Sequence, residues 1–169
     1  MNYKNIIAAD KQRTGGGSFF LILLRVAHYT TNPILRFVCR IGLLWYEKCY
    51  GLEIPYNAQI GKGLYIGHAY NITINPKTII GDNCNIHRGC LLGQQNRGKH
   101  QGAPIIGNRV WVGINACIVG SVTIGDDVLI APNSFVNCDI PSHSVVFGNP
   151  CVIKHRDNAT ENYINHLAD

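Results

Sequence analysis

Aliphatic residues fall on every sixth position from residue 54 onward. Ile54, Ile60, Ile66 and Ile72 open the series, which then slips by two and continues as Ile74, Ile80, Ile86 and Leu92. After a longer interruption it resumes as Ile106, Val112, Ile118, Ile124, Ile130 and Val136. Glycine follows the aliphatic residue at Gly61, Gly67, Gly81, Gly93, Gly107, Gly113 and Gly125. The fifth place is small or β-branched, as in Ala58, Thr78, Cys84, Cys90, Val110, Ala116, Val122, Val128 and Ser134. Antiparallel strands alternate with period two and do not produce this spacing. Three strands of about six residues, joined through three corners, make one triangular coil of about eighteen. The aliphatic side chain points into the prism and the fifth-place residue fills the space near a corner. Glycine at the second place suits a tight bend whose φ other residues avoid. One coil cannot bury its own apolar face, so coils stack, pairing as parallel strands.

The rhythm breaks twice. The first break, between Ile72 and Ile80, is expected to add two residues around Asn75-Pro76-Lys77. The second runs from Gln94 to Pro104 and is too polar and glycine-rich for a coil wall. It is expected to project as a loop, and loops on a rigid scaffold are where function concentrates.

Ahead of the coils the pattern is helical. A short helix containing Asp10 leads to the flexible joint Gly15-Gly16-Gly17. Ser18 is placed to cap a helix reaching about Tyr29. Pro33 opens another, to about Cys49, and Gly51 ends it. The sequence leaves open whether these helices pack on the base of the coils or against another copy. The chain thus divides into a helical segment 1–50, a coil domain 51–147 and an extension 148–169. The tail beyond Arg156 is polar, and a short helix or disorder is expected there.

Composition narrows the chemistry. At 169 residues the chain makes one domain. Its net charge of +5 fits a solvated surface or a phosphate-bearing ligand. No basic run with interleaved aromatics suggests a nucleic-acid partner. The seven cysteines include no CxxC pair and read as reduced and intracellular. No ligand spacing fits zinc, so no metal is expected. The apolar run Phe19 to Leu24 is too short to span a membrane, which needs about 20 residues. A cytoplasmic protein is expected.

The repeat resembles the hexapeptide-repeat acyltransferases. That resemblance implies a mainly β fold, a left-handed parallel β-helix with a short N-terminal α-helical segment. Within that group the stretch Ile66-Gly67-His68-Ala69-Tyr70-Asn71-Ile72-Thr73-Ile74 resembles the Asp-His-Ala-Thr-Gly-Ile-Val-Val motif of serine acetyltransferases. His68 falls on the catalytic histidine of that motif. Gly51-Leu52-Glu53-Ile54-Pro55 resembles the family's Gly-Ile-Asp-Ile-His-Pro, with Glu53 on its acidic residue. Leu24-Arg25-Val26-Ala27-His28 resembles the Arg-x-Ala-His stretch that precedes the β-helix.

Acyl transfer from a thioester to a hydroxyl needs a base for the alcohol proton and donors for the developing oxyanion. His68 is the candidate base. Glu53, fifteen residues earlier, is the candidate carboxylate that orients it. The resemblance implies acetyl-CoA as co-substrate. Gly93, Gln95, Ile114, Ala131, Pro132 and Lys154 are the candidate contacts to it. It also implies a homotrimer, with acetyl-CoA between neighbouring prisms and the 94–104 loop reaching into the site.

Gly67, Lys99 and His100 are the candidate acceptor residues. The family has an acid where Gly67 stands, and Asp-Arg-His-Pro where this chain has Gln101-Gly102-Ala103-Pro104. The acceptor is therefore L-serine or, alternatively, a sugar hydroxyl in surface polysaccharide synthesis. A metal hydratase of the gamma carbonic anhydrase type needs three converging histidines, and here only His68 and His87 have a spacing near one coil.

Overall fold

The computed structural model describes residues 3–15 and 18–168. Gly16 and Gly17, part of the expected joint, lie outside the described residues. Three helices, α1 (Tyr3–Thr14), α2 (Phe19–Tyr29) and α3 (Pro33–Tyr50), precede a parallel β-helix. Asn32 caps α3, its side chain accepting from the amides of Ile34 (2.9 Å) and Leu35 (3.1 Å). Gly51 ends it with φ 65°. Ser18 occupies the N-cap of α2, but its side chain makes no capping bond.

The prism has three walls. The first stacks Leu52–Glu53, Ile72–Ile74, Leu91–Gly93, Cys117–Val119 and Phe135–Val136. The second stacks Gln59–Ile60, Ile79–Ile80, Ile105–Ile106 and Thr123–Ile124. The third stacks Tyr65–Gly67, Asn85–His87, Val110–Val112, Val128–Ile130 and Ser144–Phe147. Val152–His155 closes the third wall as an antiparallel strand. First-place residues form interior columns, such as Ile60–Ile80–Ile106–Ile124. The fifth-place residues are all buried, Cys84 and Cys90 among them. Burial raises the Cys84 thiol to about 12 and the Cys90 thiol to about 11, so both act as small core hydrophobes.

The second-place glycines have a different cause from the one expected. None of Gly61, Gly81, Gly107 and Gly125 has a positive φ. They are required by stacking. A Cβ on Gly61 would lie 2.6 Å from the backbone of Gly81, and one on Gly81 would lie 2.6 Å from the carbonyl of Gly107. The left-handed backbone falls instead on a later corner position, at Asn83, Asn115, Asp127 and Asn133. Asparagine and aspartate tolerate that region best after glycine.

The first break also lies elsewhere. Tyr65 pairs with Asn85, twenty residues on, whereas Thr73 pairs with Leu91, eighteen on. The two extra residues therefore precede Thr73 and follow Gly67, in the corner His68-Ala69-Tyr70-Asn71. Asn75-Pro76-Lys77 belongs to an ordinary corner. The second break is where it was expected. Thr73 to Leu91 is a coil of eighteen, but Ile79 pairs with Ile105, twenty-six on. The 94–104 segment is a closed loop, tied by reciprocal bonds between Gln95 and Gly102 (2.9 and 3.0 Å) and from Ser121 N to His100 O (2.8 Å).

The helices plug the base of the prism. Arg25 donates to the carbonyls of Ile60 and Gly61, both at 2.6 Å, and pairs with Asp10 at 2.8 Å. Asp10 also accepts from the amide of Leu64 (3.0 Å). Both ionic side chains are buried, and the charges neutralise each other against the open backbone edge. His28 Nδ1 meets the Tyr56 carbonyl at 2.7 Å. The Arg-x-Ala-His stretch is thus a base plug.

The tail beyond Arg156 is ordered in turns and packs on the prism. Asp127 accepts from Ala159 N, Thr160 N and Thr160 Oγ1 (3.0, 3.1 and 2.6 Å). Tyr163 meets Trp111 edge-on, and Asn83 bonds both backbone groups of Ala168.

Candidate active site

The corner that carries His68 is built to project. Every ordinary corner on the edge between the third and first walls has one left-handed residue, as at Gly89, Asn115 and Asn133. This corner has two, Asn71 (φ 51°) and His68 (φ 53°). The extra residues let the chain leave the wall at His68 and rejoin it at Asn71. Backbone bonds from Arg88 N to Gly67 O (3.0 Å) and Gly89 N to Tyr70 O (3.1 Å) fix the corner from above. The His68 side chain is exposed.

Above His68 the same edge carries two columns of outward positions. Gly67, His87, Gly113 and Ala131 share one outward column of the third wall. Ile114 and Pro132 follow in the next column, joined through the bond from Asn133 N to Ile114 O (2.9 Å). Lys154, on the closing strand, sits at the top with its Nζ 5.6 Å from the Phe147 ring centre. Ile114, Ala131, Pro132 and Lys154 are thereby brought to one side with His68.

Glu53 lies on the lowest strand of the first wall, opposite Thr73. Its Oε2 is 3.4 Å from Thr73 Oγ1. Among the described residues no hydrogen bond joins Glu53 to His68, so the expected orienting contact is not formed in the single chain. Glu53 instead lines a cleft of about 750 Å³ against the first wall. Arg40, Leu44 and Glu47 of α3 line the same cleft, with Asn75 and Asn96. Arg40, Leu44 and Glu47 share one face of α3, which turns them together toward this wall. Gly93 reaches the cleft as well, but Gln95, Lys99 and His100 do not. The loop bearing these three leaves the far edge of the first wall. Within one chain it stands opposite His68, not beside it.

His87, a histidine that the sequence offers as a candidate base as well as a metal ligand, lies one coil above Gly67. Its position twenty residues after Gly67 was the available signal. Among the described residues no group of three His, Cys, Asp or Glu side chains converges.

A family model described as "Bacterial transferase hexapeptide (six repeats)" matches residues 103–138. The serine acetyltransferase of Helicobacter pylori (strain ATCC 700392 / 26695) is 35% identical over 133 residues, covering 79% of this chain and 78% of that protein. The chain belongs to the serine acetyltransferase family. It is accordingly an acyltransferase. Soybean serine acetyltransferase complexed with serine superposes with a TM-score of 0.69 at 27% identity, covering 80% of this chain and 56% of that one. A serine acetyltransferase from Brucella abortus in complex with coenzyme A superposes with a TM-score of 0.73 at 22% identity, covering 91% and 66%, and shares the fold. No helix among the described residues is long and apolar enough to cross a membrane.

Proposed function

We propose that the protein is a serine O-acetyltransferase that moves the acetyl group of acetyl-CoA directly onto the hydroxyl of L-serine. The observation that carries this is His68, lifted out of the wall by a corner two residues longer than its neighbours. It stands at the foot of the column Gly67, His87, Gly113 and Ala131. His68 takes the hydroxyl proton as the serine oxygen attacks the thioester carbon. The tetrahedral intermediate collapses, the C–S bond breaks, and the proton passes to the departing CoA sulfur. Acetyl-CoA lies along Ile114, Ala131 and Pro132, with Lys154 facing its phosphates. Glu53 holds the imidazolium that forms transiently, after leaving Thr73.

Two features support a trimer. Lys99 and His100 stand across the first wall from His68 in the same chain, so they meet a His68 only from a neighbouring copy. Gly93 and Gln95 of that neighbour then face the same acetyl-CoA. Mixing His68→Ala chains with Lys99→Ala/His100→Ala chains should restore activity that neither has alone, because one kind of junction then regains both halves. Mixed assemblies as inactive as their parents would count against a shared site.

His68→Ala should lower kcat by about 10²–10⁴-fold with an unchanged thermal midpoint, read from CoA thiol release with L-serine. Retained turnover would remove His68 as the base. A second reading has one specific support. Gly67 offers no acid for the serine ammonium. A sugar hydroxyl then replaces the serine hydroxyl in the same chemistry. Thiol release with a hexose acceptor but none with L-serine would decide for it.

A further inference from the structure

Glycine at position 67 is enforced by its neighbour. A Cβ there would collide with Cδ2 of His87 and lie 2.6 Å from its Nε2. An acidic side chain therefore cannot be restored at 67 while His87 holds its place, and His87 is held firmly. Its Nδ1 is 3.0 Å from the carbonyl of Val112. Its ring packs 4.6 Å from that of Trp111, with Tyr65 on the layer below. A carbonyl only accepts, so Nδ1 carries the proton and Nε2 presents a lone pair. No group among the described residues bonds Nε2, which faces the backbone of Gly67, next to His68.

We propose that Nε2 of His87 is a specificity-determining contact: it accepts a hydrogen bond from the acceptor's N–H or O–H donor nearest the reacting hydroxyl. This rests on the reading of His68 as the base. In serine that donor is the ammonium; in a sugar it is the vicinal hydroxyl. A neutral imidazole serves both, where a carboxylate would favour the cation. The electrostatics agree with an unprotonated Nε2. Burial is the largest influence and lowers the pKa of His87 below its ordinary value; the bond to Val112 opposes this, and the nearby His68 lowers it further. The titratable groups facing the ring from the layer below are Tyr65 and His68.

The test uses His87→Leu, which keeps bulk and loses the acceptor, and His87→Gln, whose amide oxygen reaches the position of Nε2. Each is assayed with L-serine and with a hexose, varying acceptor and acetyl-CoA separately. For whichever acceptor turns over, His87→Leu should raise the acceptor KM at least tenfold while the acetyl-CoA KM stays within twofold. His87→Gln should recover most of that loss. Equal KM values in wild type and His87→Leu overturn the assignment. So does a parallel rise in both KM values that glutamine does not repair, since that marks a packing role. His68→Ala in the same assay separates the two ideas. If it is inactive while His87→Leu behaves as wild type, only the His87 contact fails. If it remains active, or if neither acceptor turns over in wild type, the underlying reading fails and takes this contact with it.

Discussion

Single residues here are used for their backbone as much as for their side chains. His68 owes its exposure to a left-handed φ that most corners reserve for Asn or Gly. Gly107 owes its identity to the layer above, since a Cβ would lie 2.8 Å from the backbone of Gly125. Asp127 shows the electrostatic counterpart. Burial by itself would raise its pKa, but bonds from Thr160, His143 and Ala159 outweigh that and hold it below the ordinary carboxylate value. A carboxylate whose folded pKa is depressed contributes stability above its unfolded pKa, about 3.9, and loses it as pH falls through the folded value. The tail should therefore remain docked at about pH 4 and detach only on further acidification. Hydrogen exchange at the amides of Ala159 and Thr160 reads this directly. In Asp127→Asn the protection should be weaker at neutral pH and largely insensitive to acid.

At the scale of the element, the corner 68–71 separates folding from function. Deleting Ala69 and Tyr70 restores a coil of eighteen residues, the spacing already used between Thr73 and Leu91. The shortened protein should fold with a thermal midpoint at or above that of wild type, because a bulge with two left-handed residues is removed. It should have lost acetyl transfer, read from thiol release. A protein that stays active would mean that the ordinary corner presents an adequate base. Most of the prism was legible in the sequence, because the interior columns and the fifth-place residues obey one period throughout. The site of the first insertion was not. Ile72 and Ile74 are both aliphatic and both buried, so either fits the first place. Only the pairing of Thr73 with Leu91 decides between them. Motif matches singled out His68 and Glu53 as candidates, but their separation was not legible, because spacing along a coil does not say where an outward side chain points. The Arg25 plug and the docked tail were hidden for another reason: Arg25 bonds the carbonyls of Ile60 and Gly61, and Asp127 and Asn83 bond backbone groups of the tail, and backbone groups leave no trace in a residue pattern.

For the whole molecule, the decisive interactions lie at the ends of the stack. Each coil is held by the ones above and below, so stability is close to a sum of neighbour terms with special values at the termini. Removing Asp10 while Arg25 stays buried leaves an unpaired charge. That should cost about 3–5 kcal/mol, visible as a lower denaturant midpoint for Asp10→Ala. Arg25 and Asp10 stop the prism at its base, and Val152–His155 turns antiparallel to stop the third wall at the top. A stack of parallel coils has no inherent reason to stop, since its last layer offers the same unpaired edge as its first. The protein is in this sense a terminated fibre. The two plugs do for it what a chain stopper does for a polymer, and Asp10→Ala should also add length-dependent light scattering as uncovered bases find other copies.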